Sequence, residues 1–260
     1  MDIAPLLRFS NFRLDGKTAL VTGAGQGMGA AFAKILGLNG ASVAVCDLNS
    51  STARKIADEI VETGGRSESF QVDVSKSRSV VRLVKQVNEI VGEPSILVNN
   101  AGILKVTSFH EISESEWSSV MEVNVNGVFY CCKHFVPSMV RRRYGKIINI
   151  SSTAGKSAST FGGVHYTASK AAVLGITRHL AIELATFHIN VNAICPGSID
   201  TPMIRKNATS EQLQAGISKI PFGRLGTPEE VANVLLFLAS DASSFITGAS
   251  IDVNGAELLV

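Results

Sequence analysis

Tyr166 and Lys170 stand four residues apart in Tyr166-Thr167-Ala168-Ser169-Lys170, and together they could move a proton. Residues 166–185 contain no proline and only Gly175 to weaken a helix, so this spacing sets both side chains on one helical face, a turn apart. A free phenol titrates near ~10, and a neighbouring ammonium favours the phenolate and lowers that value. A tyrosine placed in this way can serve as a general acid or base near neutral pH. Such a pair does chemistry only if the rest of the chain supplies a cofactor and a substrate.

A second group of residues could hold that cofactor. Thr18-Ala19-Leu20-Val21-Thr22 has the pattern of a buried strand and runs directly into Gly23-Ala24-Gly25-Gln26-Gly27-Met28-Gly29. Glycines between a strand and a helix permit a tight turn and let backbone N–H groups approach a pyrophosphate at the helix N-terminus. Asp47, with Leu48 after it, ends the next apolar run 20 residues beyond Gly27. A carboxylate there can accept hydrogen bonds from both ribose hydroxyls of adenosine and would repel a 2′-phosphate. No arginine follows closely before Arg54, so NAD(H) is expected over NADP(H).

The elements that must position these residues alternate along the chain. Short apolar runs at 18–22, 42–47, 68–73, 96–99, 146–151, 190–194 and 250–253 read as strands. Between them, amphipathic stretches at 29–38, 51–63, 77–91, 114–140, 166–185 and 229–238 read as helices. Strands apolar on both faces, alternating with helices, predict an α/β fold: one doubly wound parallel sheet of about seven strands, Rossmann-like, with helices on both sides. No linker divides it, so residues 17–260 are expected to form one domain behind a loosely structured leader, residues 1–16. Residues 198–227 form a connection long enough to suggest a lid over a site.

Composition narrows the function classes. The chain has 260 residues, of which 45% are hydrophobic and 18% charged, which implies a large core rather than disorder. A formal net charge of +2 gives no reason to expect a nucleic-acid partner, and the basic run Arg141-Arg142-Arg143 reads as a solvated helix end. No apolar stretch approaches membrane-span or signal-peptide length, so no membrane partner and a cytoplasmic location are expected. Four cysteines without CxxC spacing and five scattered histidines suggest neither a disulfide framework nor a metal site.

The glycine turn, the acidic residue and Tyr-x-x-x-Lys occur together, and the chain resembles the short-chain dehydrogenase/reductase (SDR) family from Lys17 to Gly255. Its further motifs follow in order: Asp73-Val74, Asn99-Asn100-Ala101-Gly102, Asn124-Val125-Asn126-Gly127, Ser151-Ser152, and Pro196-Gly197-Ser198-Ile199-Asp200-Thr201. The resemblance implies that Gly23, Gln26, Gly27, Met28, Gly29, Asp47 and Leu48 seat the adenosine and pyrophosphate. Asp73 and Val74 would hold the adenine, and Asn100 and Gly102 would line the channel beside the riboses. Pro196, Ile199 and Thr201 would meet the nicotinamide end, and Asn99 would tie strands together. Asn124, Ser152, Tyr166 and Lys170 match the family's catalytic tetrad. The family's serine usually precedes the tyrosine by thirteen residues, whereas Ser152 precedes it by fourteen and Thr153 occupies the usual position.

The resemblance implies hydride transfer between an alcohol and NAD, with Tyr166 exchanging the proton and Ser152 orienting the oxygen. Lys170 would lower the tyrosine pKa and bind the ribose, and Asn124 would hold a water linking Lys170 to solvent. Ser152, Tyr166, His165 and Gly197 are the expected substrate contacts, with Arg205 and Lys206 as candidates for an anionic substrate. Ala154, Ala158, Phe161, Met203 and Ile204 could instead line an apolar pocket. The expected substrate is a small molecule: a sugar, polyol, or small cyclic or aliphatic secondary alcohol. A 3-oxoacyl thioester is the alternative, and a catalytically silent dinucleotide-binding protein is a remote one. A homotetramer is expected, with Ala171, Ala172, Val173, Ile176 and Leu180 supplying contact surface.

Overall fold

The computed structural model describes residues 12–260. Seven parallel strands form one sheet: β1 (Thr18–Thr22), β2 (Ser42–Asp47), β3 (Arg66–Gln71), β4 (Ile96–Asn99), β5 (Gly145–Ile150), β6 (Ile189–Pro196) and β7 (Ser250–Val253). Their order across the sheet is β3-β2-β1-β4-β5-β6-β7. The chain reverses direction across the sheet between β1 and β4, and a crevice opens there beyond the carboxyl ends of the strands.

The central strands feed two cores because successive side chains point to opposite faces. On one face Val21, Val45, Val98 and Ile148 pack with Phe32 and Leu36 of α1 (Gly27–Leu38), α2 (Ser50–Glu62) and Leu235. On the other, Leu20, Ala44, Leu97 and Ile147 meet Leu83 of α3 (Ser77–Ile90), Phe135 and Val173. This two-sided burial is why the strands read as continuous apolar runs.

Several boundaries differ from the sequence expectation, each for a local reason. Strand β3 begins two residues earlier and ends at Gln71, because the chain turns away at Asp73. There the Asp73 N–H donates to Ser79 Oγ (3.1 Å), and its carboxylate accepts from Ser75 N (3.0 Å) and Oγ (2.7 Å). The single helix expected over 114–140 is interrupted. It divides into α4 (Glu114–Met121), a π-helical turn (Glu122–Asn126) and α5 (Gly127–Arg142). Such turns recur at functional sites, and Asn124 sits in this one. Residues 198–227 are not a loose loop, since they carry α7 (Pro202–Asn207) and α8 (Ser210–Ile217). Thr201 caps α7, and a Thr209–Gln212 capping box starts α8.

At the amino end, residues 1–11 of the expected leader lie outside the described residues. Of the remainder, Leu14 is buried and its N–H donates to Asn39 O (2.8 Å), while Phe12, Arg13, Asp15 and Gly16 are exposed. On helix α6 (Val164–Leu184), of the residues expected to supply contact surface, Ala171 is exposed and Ala172 half-buried. Val173 is fully buried in its own core, and Ile176 and Leu180 pack against that core. The exposed large apolar side chains on α5 and α6 are Phe129, Val164 and Ile182. Among the described residues, no helix is long and apolar enough to cross a membrane, and no group of side chains could hold a metal ion.

Candidate active site

The crevice above the β1–β4 junction is a cleft of about 350 Å³. Its floor is the turn into α1, shaped by close backbone approach. A Cβ on Gly29 would lie 2.1 Å from Gly23 O and 2.5 Å from Asn100 Nδ2, and one on Gly23 would lie 2.8 Å from Ala101 Cα. Gly23 and Gly27 hold φ of +63° and +55°, the left-handed region that favours glycine. Gln26, the N-cap of α1, makes no side-chain cap bond, and the first turn carries no acidic residue. The N–H groups of that turn and the positive end of the helix dipole therefore suit an anionic diphosphate.

Asp47 stands at one rim of the cleft, beside Leu48. Its Oδ2 accepts from Gly25 N (2.9 Å) and its Oδ1 from Asn49 N (2.9 Å), which fixes the carboxylate and leaves lone pairs for further donors. Arg54, the cation next in sequence, pairs with Glu68 (3.1 Å). Asp73, Val74, Asn100 and Gly102 line the wall. Asn100 Nδ2 donates to Thr22 O (2.9 Å) and Gly23 O (3.0 Å), and Thr22 Oγ1 accepts from the Asn100 and Ala101 N–H groups (both 3.1 Å). The far end is closed by Tyr166, Lys170 and Thr201. These residues suit a nicotinamide dinucleotide: glycines where a Cβ would collide, an uncapped helix start and a fixed carboxylate at the ribose end.

Tyr166 and Lys170 do share a helical face, with Lys170 Nζ 5.6 Å from the centroid of the tyrosine ring. The electrostatics differ from the expectation. Burial pushes the Tyr166 phenol above its ordinary value, and the neighbour that opposes this is the Ser152 hydroxyl, not the lysine. Lys170 is itself buried, which lowers its ammonium to about 8, and Nζ donates to Ile150 O (2.9 Å). Ser152, rather than Thr153, is thus the hydroxyl beside the phenol. It starts the short turn Thr153–Gly155 and accepts from Ala154 N (3.1 Å).

Asn124 lies behind this pair instead of lining the cleft. Its Oδ1 accepts from Ile103 N (2.8 Å), and its Nδ2 donates to Ile103 O (3.0 Å) and Ser169 Oγ (3.0 Å). The side chain is thereby committed to holding the loop after Gly102 against α6. Asn99 bridges β4 and β5 through Asn149 Oδ1 (2.8 Å). His165, expected at the substrate, is fully buried and faces away. Its Nδ1 accepts from Tyr166 N (2.9 Å), and its Nε2 lies 2.8 Å from Glu116 Oε1. Both ring nitrogens are occupied, so the residue anchors the start of α6 to α4. Arg205 is likewise taken, bidentate on Asp200 at 2.6 and 2.7 Å.

A smaller chamber of about 70 Å³ opens on the other side of Ser152 and Tyr166. Pro196, Gly197, Ile199 and Thr201 line it, and Leu104, Ala154, Phe161, Met203 and Ile204 give it apolar walls. Ile199 is held by a bridge to Gly226 that uses the backbone of Ser198 (3.0 Å) and Asp200 (2.9 Å), so neither backbone group of Ile199 is spent. Sequence reasoning missed Glu257, whose carboxylate also reaches this chamber, and Ser169, the partner of Asn124. Glu257 lies beyond the last strand with no motif around it. Ser169 sits inside the Tyr-x-x-x-Lys segment, on the turn that follows the tyrosine.

Fold and site together define a class, and comparison with known proteins bears this out. A family model described as enoyl-(acyl carrier protein) reductase matches residues 23–255. The chain belongs to the short-chain dehydrogenase/reductase family and is an oxidoreductase of that family. It is 39% identical over 243 residues to the 3-oxoacyl-[acyl-carrier-protein] reductase FabG of Thermotoga maritima, covering 94% of this chain and 98% of that protein. It is 40% identical over 242 residues to the same-named reductase of Pseudomonas aeruginosa, covering 93% and 97%. The crystal structure of a 3-oxoacyl-[acyl-carrier protein] reductase with bound NAD from Brucella melitensis superposes with a TM-score of 0.88 at 35% identity, over 98% of this chain and 97% of that one. These relatives overturn the expectation that the substrate is a sugar, polyol or simple alcohol, and favour the 3-oxoacyl thioester.

Proposed function

We propose that this enzyme reduces the 3-oxo group of an acyl thioester carried on acyl carrier protein, with NADH as the hydride donor. The observation that carries the substrate class is the chamber beside Ser152 and Tyr166. Its apolar walls, Leu104, Ala154, Phe161, Met203 and Ile204, suit an acyl chain, while the hydroxyls of Ser152, Thr153, Ser159, Thr160 and Ser198 and the Glu257 carboxylate line the same chamber. The names of the relatives point the same way. For the cofactor, Asp47 is fixed by two backbone N–H groups at the rim where a 2′-phosphate would fall, so NADH is the better fit.

In this reading the dinucleotide supplies a hydride at its nicotinamide ring. The chain supplies the rest. The Ser152 hydroxyl donates a hydrogen bond to the ketone oxygen, and Tyr166 gives that oxygen its proton as charge develops on it. Lys170 binds the ribose, and Asn124 positions it by holding the Ile103 loop. Residues 198–227 would act as the lid, with Thr201 and Ile199 available to the nicotinamide end of a bound dinucleotide and α8 resting on Phe161. A Cβ on Gly216 of α8 would lie 2.6 Å from Phe161 Cζ, so that contact is close. The enzyme is further proposed to act as a homotetramer through α5 and α6; a monomer mass on sizing chromatography would contradict this.

The test is product analysis after incubation with NADH and a 3-oxoacyl thioester, alongside a panel of sugars, polyols and cyclic alcohols with NAD⁺. Formation of the 3-hydroxyacyl thioester, with turnover well above that on any alcohol of the panel, is expected. Faster turnover of a polyol would overturn the thioester reading.

A further inference from the structure

Glu257 lies on the tail that follows β7, far in sequence from every other residue of the substrate chamber. The chain reaches it through Gly255 and Ala256, both in the left-handed region at φ +57° and +66°. For Ala256 that conformation is strained, and it is held by Asn254, whose Oδ1 accepts from Ala256 N (2.9 Å) and whose carbonyl accepts from Glu257 N (2.9 Å). The turn swings the carboxylate back over the end of β6. There Oε2 accepts from Ser198 N (2.7 Å), and Oε1 accepts from Ser198 Oγ (3.0 Å) and Thr160 Oγ1 (3.4 Å). A Cβ on Gly197 would lie 2.5 Å from Oε2, so residue 197 is a glycine where the carboxylate passes.

Among the described residues no cation meets this carboxylate; its partners are one backbone N–H and two hydroxyls. The carboxylate lies on the wall of the chamber that Ser152 and Tyr166 also line. We infer that Glu257 is a specificity residue, whose charge bars anionic ketones from the chamber and admits neutral ones. Like charges brought together in a confined, poorly hydrated space repel more strongly than in water. A 3-oxoacyl thioester is neutral at its reacting end, whereas the free 3-oxo acid and sugar acids carry a carboxylate. The inference rests on the thioester reading only for which neutral substrate is admitted.

The test measures binding to enzyme saturated with NAD⁺, on which ketones bind without reacting. Acetoacetate is the anionic probe and ethyl acetoacetate the neutral one, each titrated by calorimetry against the wild type and Glu257→Gln. The glutamine keeps a carbonyl acceptor for Ser198 without the charge. The wild type should bind the ester at least about tenfold more tightly than the anion, and Glu257→Gln should narrow that gap by roughly tenfold, about 1.4 kcal/mol. An unchanged gap would overturn the inference. So would an equal loss for both probes, which is what a purely structural tail contact predicts. Thioester turnover with NADH in the wild type separately tests the proposed function, so either idea can fail alone.

Discussion

The two ends of the cleft are built by different means. At the cofactor end, Gly23, Gly29 and Asn100 are locked by backbone approach within a few residues of β1 and β4. At the substrate end, Ser152 and Thr160, Ser198 and Met203, and Glu257 come from distant parts of the chain and meet largely through side chains. Backbone constraints leave little choice of residue at the first end. Side-chain walls can be exchanged without disturbing the sheet, so substrate choice is written at the second end.

The largest expected effect separates chemistry from binding. Tyr166→Phe removes the proton donor and leaves the cofactor floor intact, so turnover should fall roughly a hundred- to ten-thousandfold. NADH affinity, followed by its fluorescence, should hardly change, and retained turnover would remove Tyr166 from its role. Ser152→Ala should cost roughly a hundred- to thousandfold, as loss of a donor to the developing oxyanion does. Thr153→Val should cost far less, and the reverse order in steady-state kinetics would reassign the hydroxyl.

Gly29→Ala attacks the other end. Its methyl meets Gly23 O, so the turn must shift by the order of 1 Å, which should weaken NADH binding by roughly a hundredfold. If the loss fell on kcat instead, the two ends would not be separable in this way. The smallest effect is in pH. The phenol, raised by burial, stays protonated through neutrality, while Lys170 loses its proton near 8. Thioester reduction should therefore be level at neutral pH and decline above about 8. Stability should move oppositely: between about 8 and ~10.4 the unfolded chain holds the Lys170 proton that the folded chain has released, so this group favours folding more as pH rises.

The same contrast governs what the sequence could reveal. Strands β1, β2 and β4 are legible to the residue because burial on both faces leaves nearly unbroken apolar runs, and β7 is legible from its alternating Ile251 and Val253. The glycine turn, Asp47 and Tyr166 are legible because each is a local pattern with a fixed spacing. The break at Asn124 is not, since the π turn arises where Asn124 reaches Ile103 and Ser169 across the fold. His165 misleads for a related reason. Adjacency to Tyr166 suggests a shared cavity, yet at the first turn of α6 the next side chain points elsewhere, here to Glu116. Glu257 is visible only once the tail is folded back over β6. Substrate identity is the least legible because its walls are long-range contacts without a motif.

The proposed reaction joins both ends of the cleft: hydride from NADH, selected by Asp47, would pass to a 3-oxoacyl thioester. The most direct test is kcat/KM for NADH and for NADPH with one 3-oxoacyl thioester, in the wild type and in Asp47→Ala. The wild type should favour NADH, and the substitution should erode that preference by about tenfold or more, roughly 1.4 kcal/mol. A wild type that favours NADPH, or a preference that Asp47→Ala leaves unchanged, would contradict the account.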